Sequence, residues 1–294
     1  MRALITGGKG FVGQWLARHL EAEGDEVHLV DLETDVADPE AIGPVIAGIN
    51  PDAVYHLAAL SHVGASWDAP TQVAHVNVVG TTAVLAAARS ALAQPTVLFV
   101  SSAEVYGSVQ PAQLPLSELS EVQPTTPYAA SKAAAEQIAL GCHRGFGQKV
   151  IVVRPFNHIG PGQAPVFAVP ALAKRMVEAV ASGQQSIKVG NLSARRDFTD
   201  VRDVVRAYRL LVTSGTPGEI YNIASGVDVG IDEIVELLLA EVGASLGTEV
   251  DPELLRPIDI PILRGDIAKL AGATGWSPEI PLAQTVSDIV QAFR

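Results

Sequence analysis

The N-terminal stretch Met1-Arg-Ala-Leu-Ile-Thr-Gly-Gly-Lys-Gly-Phe-Val-Gly13 decides the fold. Its apolar run at residues 3–6 predicts a buried strand, and the amphipathic stretch at residues 12–23 predicts a helix. Glycines 7, 10 and 13 suit a tight turn, a close approach of the backbone to a pyrophosphate, and packing of the helix on the strand. The helix N-terminus then faces the phosphates. The stretch therefore predicts a dinucleotide-binding site.

The end of the second predicted strand, residues 27–31, bears on the choice of dinucleotide. Asp31 stands where a carboxylate accepts hydrogen bonds from the adenosine ribose hydroxyls and repels a 2′-phosphate. No arginine follows it at residues 32–35. We therefore expect NAD(H), with NADP(H) as the alternative that depends on the geometry of Asp31. Asp35 and Val36 could contact the adenine edge.

Length, charge and cysteine content narrow the classes of function. The chain has 294 residues, 48% of them apolar, which suffices for a large core in one domain or two. A net charge of −12 argues against nucleic acid and anionic membrane as partners, although local arginines still permit an anionic substrate. The one cysteine, Cys142, forbids an internal disulfide and suits a reducing cytosol.

Targeting segments and metal sites are not expected either. The first strand leaves no room for a signal peptide, and no apolar run reaches the length of a membrane span. The histidines lack metal-ligand spacing with cysteine or acidic partners. We therefore expect a cytoplasmic protein without a metal.

Strands and helices alternate through the first half and predict an α/β fold with a doubly wound parallel sheet. Further strands are predicted at residues 53–58, 96–101, 150–154 and 220–224, and helices at residues 39–48, 71–91, 127–145 and 200–214. After Pro155 proline and glycine become frequent and the elements shorter. We expect an NAD-binding Rossmann domain over residues 1–158 plus about 197–224. A smaller substrate-binding lobe would comprise about 159–196 and 225–294.

Tyr128 and Lys132 stand four residues apart within a predicted helix, which places both side chains on one face. A buried ammonium there can lower the pKa of the phenol from about 10 towards working pH. Such a phenol can exchange a proton with an oxygen whose carbon exchanges a hydride. Ser102 follows a strand at the edge of the sheet where ligands bind, and its hydroxyl can hydrogen-bond the same oxygen. A strand-end cap is the other interpretation of Ser102.

Five motifs occur in the order typical of one superfamily. They are Gly7-x-x-Gly10-x-x-Gly13, His56-Leu-Ala-Ala59, Ser101-Ser-Ala-Glu-Val-Tyr-Gly107, Tyr128-x-x-x-Lys132 and Arg154-Pro-Phe-Asn157. Together they resemble the extended short-chain dehydrogenase/reductase superfamily over essentially the whole chain. The later segments resemble its GDP-mannose 4,6-dehydratase branch and the related reductases, and the compact length is most similar to the reductases. Those segments are Phe156-Asn-His-Ile-Gly-Pro-Gly-Gln163, Val189-Gly-Asn-Leu192, Arg196-Asp-Phe-Thr-Asp200, Leu255-Arg-Pro257 and Thr274-Gly-Trp276-Ser-Pro278.

The resemblance implies a set of site residues. Those expected to bind the cofactor are Gly7, Gly10, Phe11, Val12, Gly13, Asp31, Asp35, Val36, Leu57, Ala58, Ala59, Asn77, Ser101, Tyr128, Lys132, Pro155, Asn157 and His158. Those expected to bind the substrate are Ser102, Glu104, Asn157, Lys174, Val189, Asn191, Arg196 and Arg256. The two arginines suit a diphosphate, because a guanidinium matches phosphate oxygens in two-point geometry.

The function implied is NADH-dependent reduction of a nucleotide-linked 4-keto-6-deoxyhexose by a homodimer with a four-helix interface. The substrate best supported is GDP-4-keto-6-deoxy-D-mannose, with GDP-D-rhamnose as product. Tyr128 would protonate the alkoxide, Ser102 would hold that oxygen, and Lys132 would tune the phenol and hold the nicotinamide ribose. The nucleobase and the C4 configuration of the product stay open.

Glu104 keeps a second function open. The dehydratases of this family use a glutamate there as a base, and the reductases carry one as well. A GDP-mannose 4,6-dehydratase, or a nucleotide-sugar 4-epimerase with tightly bound NAD, is therefore the alternative. A non-catalytic nucleotide-binding protein is a remote third, because Ser102, Tyr128 and Lys132 are all present.

Overall fold

The chain folds around one parallel sheet, as the alternating pattern predicts. A computed structural model describes residues 1–254 and 260–294. Its strands in chain order are β1 (Arg2–Thr6), β2 (Glu26–Val30), β3 (Ala53–His56), β4 (Thr96–Val100), β5 (Val150–Pro155), β6 (Asn157–Ile159), β7 (Ser186–Val189), β8 (Arg195–Asp200), β9 (Ile220–Ile223), β10 (Asp228–Gly230), β11 (Gly247–Val250) and β12 (Ile262–Leu263).

Ten α-helices lie in the same described ranges. They are α1 (Phe11–Ala22), α2 (Pro39–Ile49), α3 (Pro70–Ala74), α4 (Gly80–Ser90), α5 (Pro127–Phe146), α6 (Ala168–Ser182), α7 (Val201–Ser214), α8 (Ile231–Val242), α9 (Ala268–Thr274) and α10 (Leu282–Gln291). The one helix predicted over residues 71–91 is in fact α3 and α4 joined by a π-helical turn, His75–Val79.

The main sheet has six parallel strands in the order β2-β1-β3-β4-β5-β9. Strands β3 and β5 are buried along their whole length, because helices cover both faces of the sheet. Helices α1 and α7 pack on one face, and α2, α4 and α5 pack on the other. The α/β doubly wound prediction is confirmed. From β1 the chain turns to one side and from β3 to the other, so a ligand crevice is expected at the carboxyl ends of these strands.

A separate apolar core lies among α6, α8 and α10. Two small sheets accompany it. In one, β8 lies between β10 and β12 and also pairs with β6, and in the other β7 pairs with β11. The chain returns to the main sheet through α7, whose first turn is capped by the Asp200 carboxylate accepting from the Arg202 N–H.

Candidate active site

The glycine turn between β1 and α1 has no room for larger residues. Gly7 has a φ of +71°, and a Cβ there would lie 2.9 Å from the Ala58 nitrogen. A Cβ on Gly13 would lie 2.4 Å from the Gly7 carbonyl oxygen. Helix α1 begins at Phe11, directly after Gly10, and no side chain caps its first N–H groups. An uncapped helix start behind a turn of exposed backbone fits the pyrophosphate of a dinucleotide.

Asp31 holds this turn against the end of β2. Its carboxylate accepts the Lys9 N–H at 2.7 Å and the Leu32 N–H at 2.9 Å. The side chain of Lys9 turns away to an exposed ion pair with Glu33, at 2.9 Å. Asp31 is half-buried beside the glycine turn, so its placement suits the predicted ribose contact, which stays a prediction. Of the two residues predicted to contact the adenine edge, Asp35 is exposed and Val36 is buried.

A buried hydrogen-bond relay, formed by Thr6, His56 and Thr81, fixes the loop after β3. The sequence did not reveal this relay. The Thr6 hydroxyl lies 2.7 Å from His56 Nδ1 and accepts the Ala58 N–H at 3.3 Å. His56 Nε2 lies 3.0 Å from the Thr81 hydroxyl. Burial, reinforced by the charge of Lys132, lowers the pKa of His56 to about 3, so the ring stays neutral. The relay holds residues 57–59 beside Gly7, where the cofactor is expected.

Asn77 connects the loop after β3 to helix α5. Its side-chain oxygen accepts the Leu60 N–H at 2.8 Å, and its Nδ2 donates to the Ser131 hydroxyl oxygen at 2.9 Å. That hydroxyl donates to the Tyr128 carbonyl at 2.7 Å. Asn77 lies in the π-helical turn and is 1% exposed. Its amide is thus engaged within the protein, and a contact with the cofactor stays a prediction.

Tyr128, Lys132 and Ser102 converge at the carboxyl edge of the sheet. Helix α5 begins at Pro127, after Thr126, whose hydroxyl accepts the Ala129 N–H at 3.1 Å. Tyr128 and Lys132 are 8% and 4% exposed, so both lie on the buried face of α5. The Lys132 ammonium donates to the Val100 carbonyl at 2.7 Å, at the end of β4. The Ser102 hydroxyl oxygen accepts the Glu104 N–H at 3.2 Å.

The pKa of Tyr128 moves opposite to the sequence-based expectation. Burial raises it to about 12, a hydrogen bond with Ser102 lowers it, and the charge of Glu104 raises it. Burial lowers the pKa of Lys132 to about 7. The expectation was wrong because burial, together with the charge of Glu104, penalises the phenolate more than the Ser102 hydrogen bond stabilises it. The phenol therefore keeps its proton at neutral pH, which suits a proton donor.

Glu104 lies in a short 3₁₀ turn, Ala103–Tyr106, that follows Ser102 directly. Its side chain is half-buried, and its charge reaches the Tyr128 phenol. A carboxylate so placed can act on the phenol electrostatically or take a proton from the substrate. The position alone does not choose between these two predicted roles.

The segment after β5 closes over the glycine turn. The His158 ring stacks on Phe11, with ring centroids 6.4 Å apart and an angle of 4° between the planes. His158 Nδ1 lies 3.1 Å from the Phe156 carbonyl, so this nitrogen carries the proton, and burial lowers the pKa of the ring. Pro155 is buried, whereas Asn157 is exposed. Sequence-distant residues predicted to bind the cofactor thus meet here.

The residues predicted to bind the substrate differ from one another in exposure and in the contacts they make. Val189 is fully buried, so only its backbone could face a ligand. Lys174 forms an exposed pair with Glu178 at 3.7 Å, and the Asn191 side-chain oxygen accepts from the Ser193 hydroxyl at 2.8 Å. Arg196 is buried, and its Nη1 donates to the Arg195 carbonyl at 2.9 Å. Arg256 lies outside the described residues.

The described part of the chain shows neither a cluster of metal ligands nor a membrane-spanning helix. In residues 1–254 and 260–294, no three His, Cys, Asp or Glu side chains come together as metal ligands could. Within those ranges no helix is both long and apolar enough to cross a membrane.

Comparisons with known proteins give the family. The family model described as GDP-mannose 4,6 dehydratase matches residues 32–289. The chain is 37% identical to GDP-6-deoxy-D-mannose reductase of Pseudomonas aeruginosa, over 100% of this chain and 97% of that protein.

Solved structures agree. The structure of RMD from Pseudomonas aeruginosa complexed with NADPH superposes with a TM-score of 0.91 at 35% identity, covering 100% of this chain and 99% of the other. UDP-glucose 4-epimerase of Thermus thermophilus, in complex with NAD, superposes with a TM-score of 0.89 at 27% identity, covering 100% and 99%. The glycine turn, the Tyr128–Lys132 helix face and these matches lead to one conclusion. The chain belongs to the GDP-mannose 4,6-dehydratase family of extended short-chain dehydrogenases/reductases.

Proposed function

We propose that this chain is an NAD(P)H-dependent reductase that converts GDP-4-keto-6-deoxy-D-mannose to GDP-D-rhamnose. The observation that carries the proposal is the convergence of three buried side chains at the carboxyl edge of the sheet, namely Tyr128 and Lys132 on one face of α5 and Ser102 just after β4. Reduction of a ketone requires a proton donor such as the Tyr128 phenol, because the alkoxide that forms must be protonated. Similarity to the GDP-6-deoxy-D-mannose reductase of Pseudomonas aeruginosa supports the substrate.

In this mechanism the protein residues hold the ketone and move one proton. Bound NAD(P)H supplies the hydride that reduces C4 of the sugar. Ser102 donates a hydrogen bond to the C4 oxygen, and Tyr128 gives that oxygen its phenolic proton. Lys132, on the same helix face, stabilises the phenolate that remains, because an ammonium attracts it at short range in a buried site.

NADH is our expected reductant, and Asp31 is the reason. Its carboxylate stands half-buried at the end of β2, where it would repel a 2′-phosphate. The Pseudomonas aeruginosa relative binds NADPH, so this preference needs its own measurement. A kcat/KM for NADH below that for NADPH would contradict it.

We propose the two-domain organisation, the homodimer and the cytoplasmic location that the sequence suggests. The separate core among α6, α8 and α10 supports a nucleotide-sugar-binding lobe over about 159–196 and 225–294, beside an NAD-binding domain. The homodimer through α4 and α5 rests on the family resemblance, and the exposed side chains of Val79, just before α4, and Phe146, the last residue of α5, are compatible with it. The single free Cys142 suits a cytoplasmic location. Sedimentation of the purified chain as a monomer would contradict the dimer.

Glu104 supports the second candidate, a GDP-mannose 4,6-dehydratase that recycles its cofactor. Glu104 lies two residues after Ser102, and its charge reaches the Tyr128 phenol. Purified protein with NADH and GDP-4-keto-6-deoxymannose, beside a parallel sample with GDP-mannose, separates the two functions. We expect stoichiometric loss of NADH absorbance with the ketosugar alone. Conversion of GDP-mannose to ketosugar without net NADH loss would establish the dehydratase instead.

A further inference from the structure

A buried hydrogen-bond network reaches Ser102 from the helix that carries Tyr128. Glu136 lies on α5, eight residues after Tyr128, and is 1% exposed. The Ser101 hydroxyl donates to Glu136 Oε2 at 2.9 Å. Arg154 at the end of β5 donates to the same oxygen through Nε at 3.1 Å and to Oε1 through Nη2. The residue just before Ser102 is therefore attached to the Tyr128 helix.

The same arginine also holds the segment on the other side of Ser102. Arg154 Nη1 donates to the Tyr106 hydroxyl oxygen at 3.0 Å, and Tyr106 is the last residue of the 3₁₀ turn after Ser102. The Tyr106 hydroxyl donates in turn to Asn222 Oδ1 at 2.6 Å, on β9. Segment 101–106 is thus held at one end by the Glu136 carboxylate and at the other by its partner Arg154, whose side chain is 3% exposed.

A gain in stability is a weak explanation for this arrangement. Two buried charges lose their hydration, and apolar side chains of similar volume often replace such a pair without loss of stability. Directional hydrogen bonds give something that apolar packing does not, namely one fixed geometry for the groups they join. Here the groups joined are the two segments that carry the Ser102 and Tyr128 hydroxyls.

We propose that Glu136 and Arg154 are positioning residues that set the placement of the Ser102 hydroxyl relative to the Tyr128 phenol. The inference rests on the proposed reductase function. Catalytic groups displaced by about 1 Å can lose about 100-fold in rate, so the chemical step should respond strongly to loss of the network. Binding of NADH and ketosugar should respond weakly, because neither residue is expected to touch them.

The smallest test is Tyr106→Phe, which removes one hydroxyl and keeps the ring. We expect kcat for ketosugar reduction to fall about tenfold, with KM within about twofold of wild type. The primary isotope effect on kcat with NADH deuterated at C4 should rise, since a misplaced proton donor slows the chemical step. The double variant Glu136→Met with Arg154→Met should lose about 100-fold in kcat and lower Tm by no more than about 5 °C, because the buried Ser101 hydroxyl loses its acceptor.

A control variant breaks an ion pair outside the site that is less deeply buried. Arg209 Nε bonds Asp25 at 2.9 Å, and Arg209→Met should lower Tm while kcat and the isotope effect keep their wild-type values. A wild-type kcat and isotope effect in Tyr106→Phe would overturn the inference. So would a loss of kcat in Arg209→Met as large as in the double variant. Failure of the wild-type protein to reduce the ketosugar would contradict the proposed function itself.

Discussion

Replacing Lys132 by methionine should abolish turnover and yet stabilise the protein. The ammonium is 4% exposed, and burial lowers its pKa from 10.5 to about 7. At about 1.4 kcal/mol for each pKa unit, keeping this charge buried costs up to about 5 kcal/mol below pH 7. Methionine has a similar length and no charge, but it leaves the Val100 carbonyl without its donor, which costs about 1–3 kcal/mol.

The net gain is therefore about 2–4 kcal/mol in the free energy of unfolding at pH 6. For a chain of this length, that corresponds to a rise in Tm of about 3–6 °C. The gain also has a defined pH dependence. Because the folded pKa lies below the unfolded value, the unfolded chain binds more protons between about pH 7 and 10.5, so wild-type stability rises with pH there. The advantage of Lys132→Met should be full below pH 7 and shrink above it.

Thermal unfolding of the cofactor-stripped wild type and Lys132→Met at pH 6 and pH 9.5 measures this effect. Lys188→Met is the matched control, because that lysine is exposed and its pKa is raised by Asp251. The control should move Tm by no more than about 1 °C. A Lys132→Met protein that is less stable than wild type at pH 6 would refute the reasoning. A gain of equal size at both pH values would refute it too.

Three further predictions concern the cofactor and the proton donor. Tyr128→Phe should lower kcat by about 10²–10⁴ while the Kd for NADH rises by only about threefold or less, because one hydroxyl contact is lost, and full turnover would contradict the proposed proton donor. Gly13→Ala places a Cβ 2.4 Å from the Gly7 carbonyl, so calorimetry should show NADH binding weakened at least about tenfold. Gly48→Ala is its control, because a Cβ there meets nothing within 4 Å, and equal loss in both would contradict the steric reason. Asp31→Asn should raise kcat/KM for NADPH relative to NADH by about tenfold or more, and an unchanged ratio would remove Asp31 from cofactor choice.

The main sheet and its helices could be predicted because their patterns are local. The apolar run of β1, the glycine turn and the amphipathic α1 follow one another within about twenty residues, and each has its own periodicity or steric signature. The π-helical turn at His75–Val79 has no such signature in the sequence. The contacts of the Asn77 amide with Leu60 and Ser131, which lie within and beside this part of the fold, were therefore not predicted either.

The electrostatics of the site could not be predicted from spacing. Tyr128 and Lys132 lie on one face of α5 as expected, but the direction of the phenol pKa depends on how deeply both are buried. The Glu136–Arg154 pair likewise joins a helix and a strand 18 residues apart in sequence. The sequence does not identify either residue as a member of a buried pair, because glutamate and arginine are both common on exposed surfaces.

Transfer of deuterium from the reduced cofactor to the sugar tests the central claim most directly. Purified wild-type protein would be given GDP-4-keto-6-deoxymannose and NADH or NADPH with deuterium at both C4 positions of the nicotinamide. We expect one deuterium per product molecule, located at C4 of the deoxyhexose by NMR, with one equivalent of cofactor oxidised. A product with hydrogen from water at C4, or a sugar consumed without oxidation of the cofactor, would contradict the reductase mechanism.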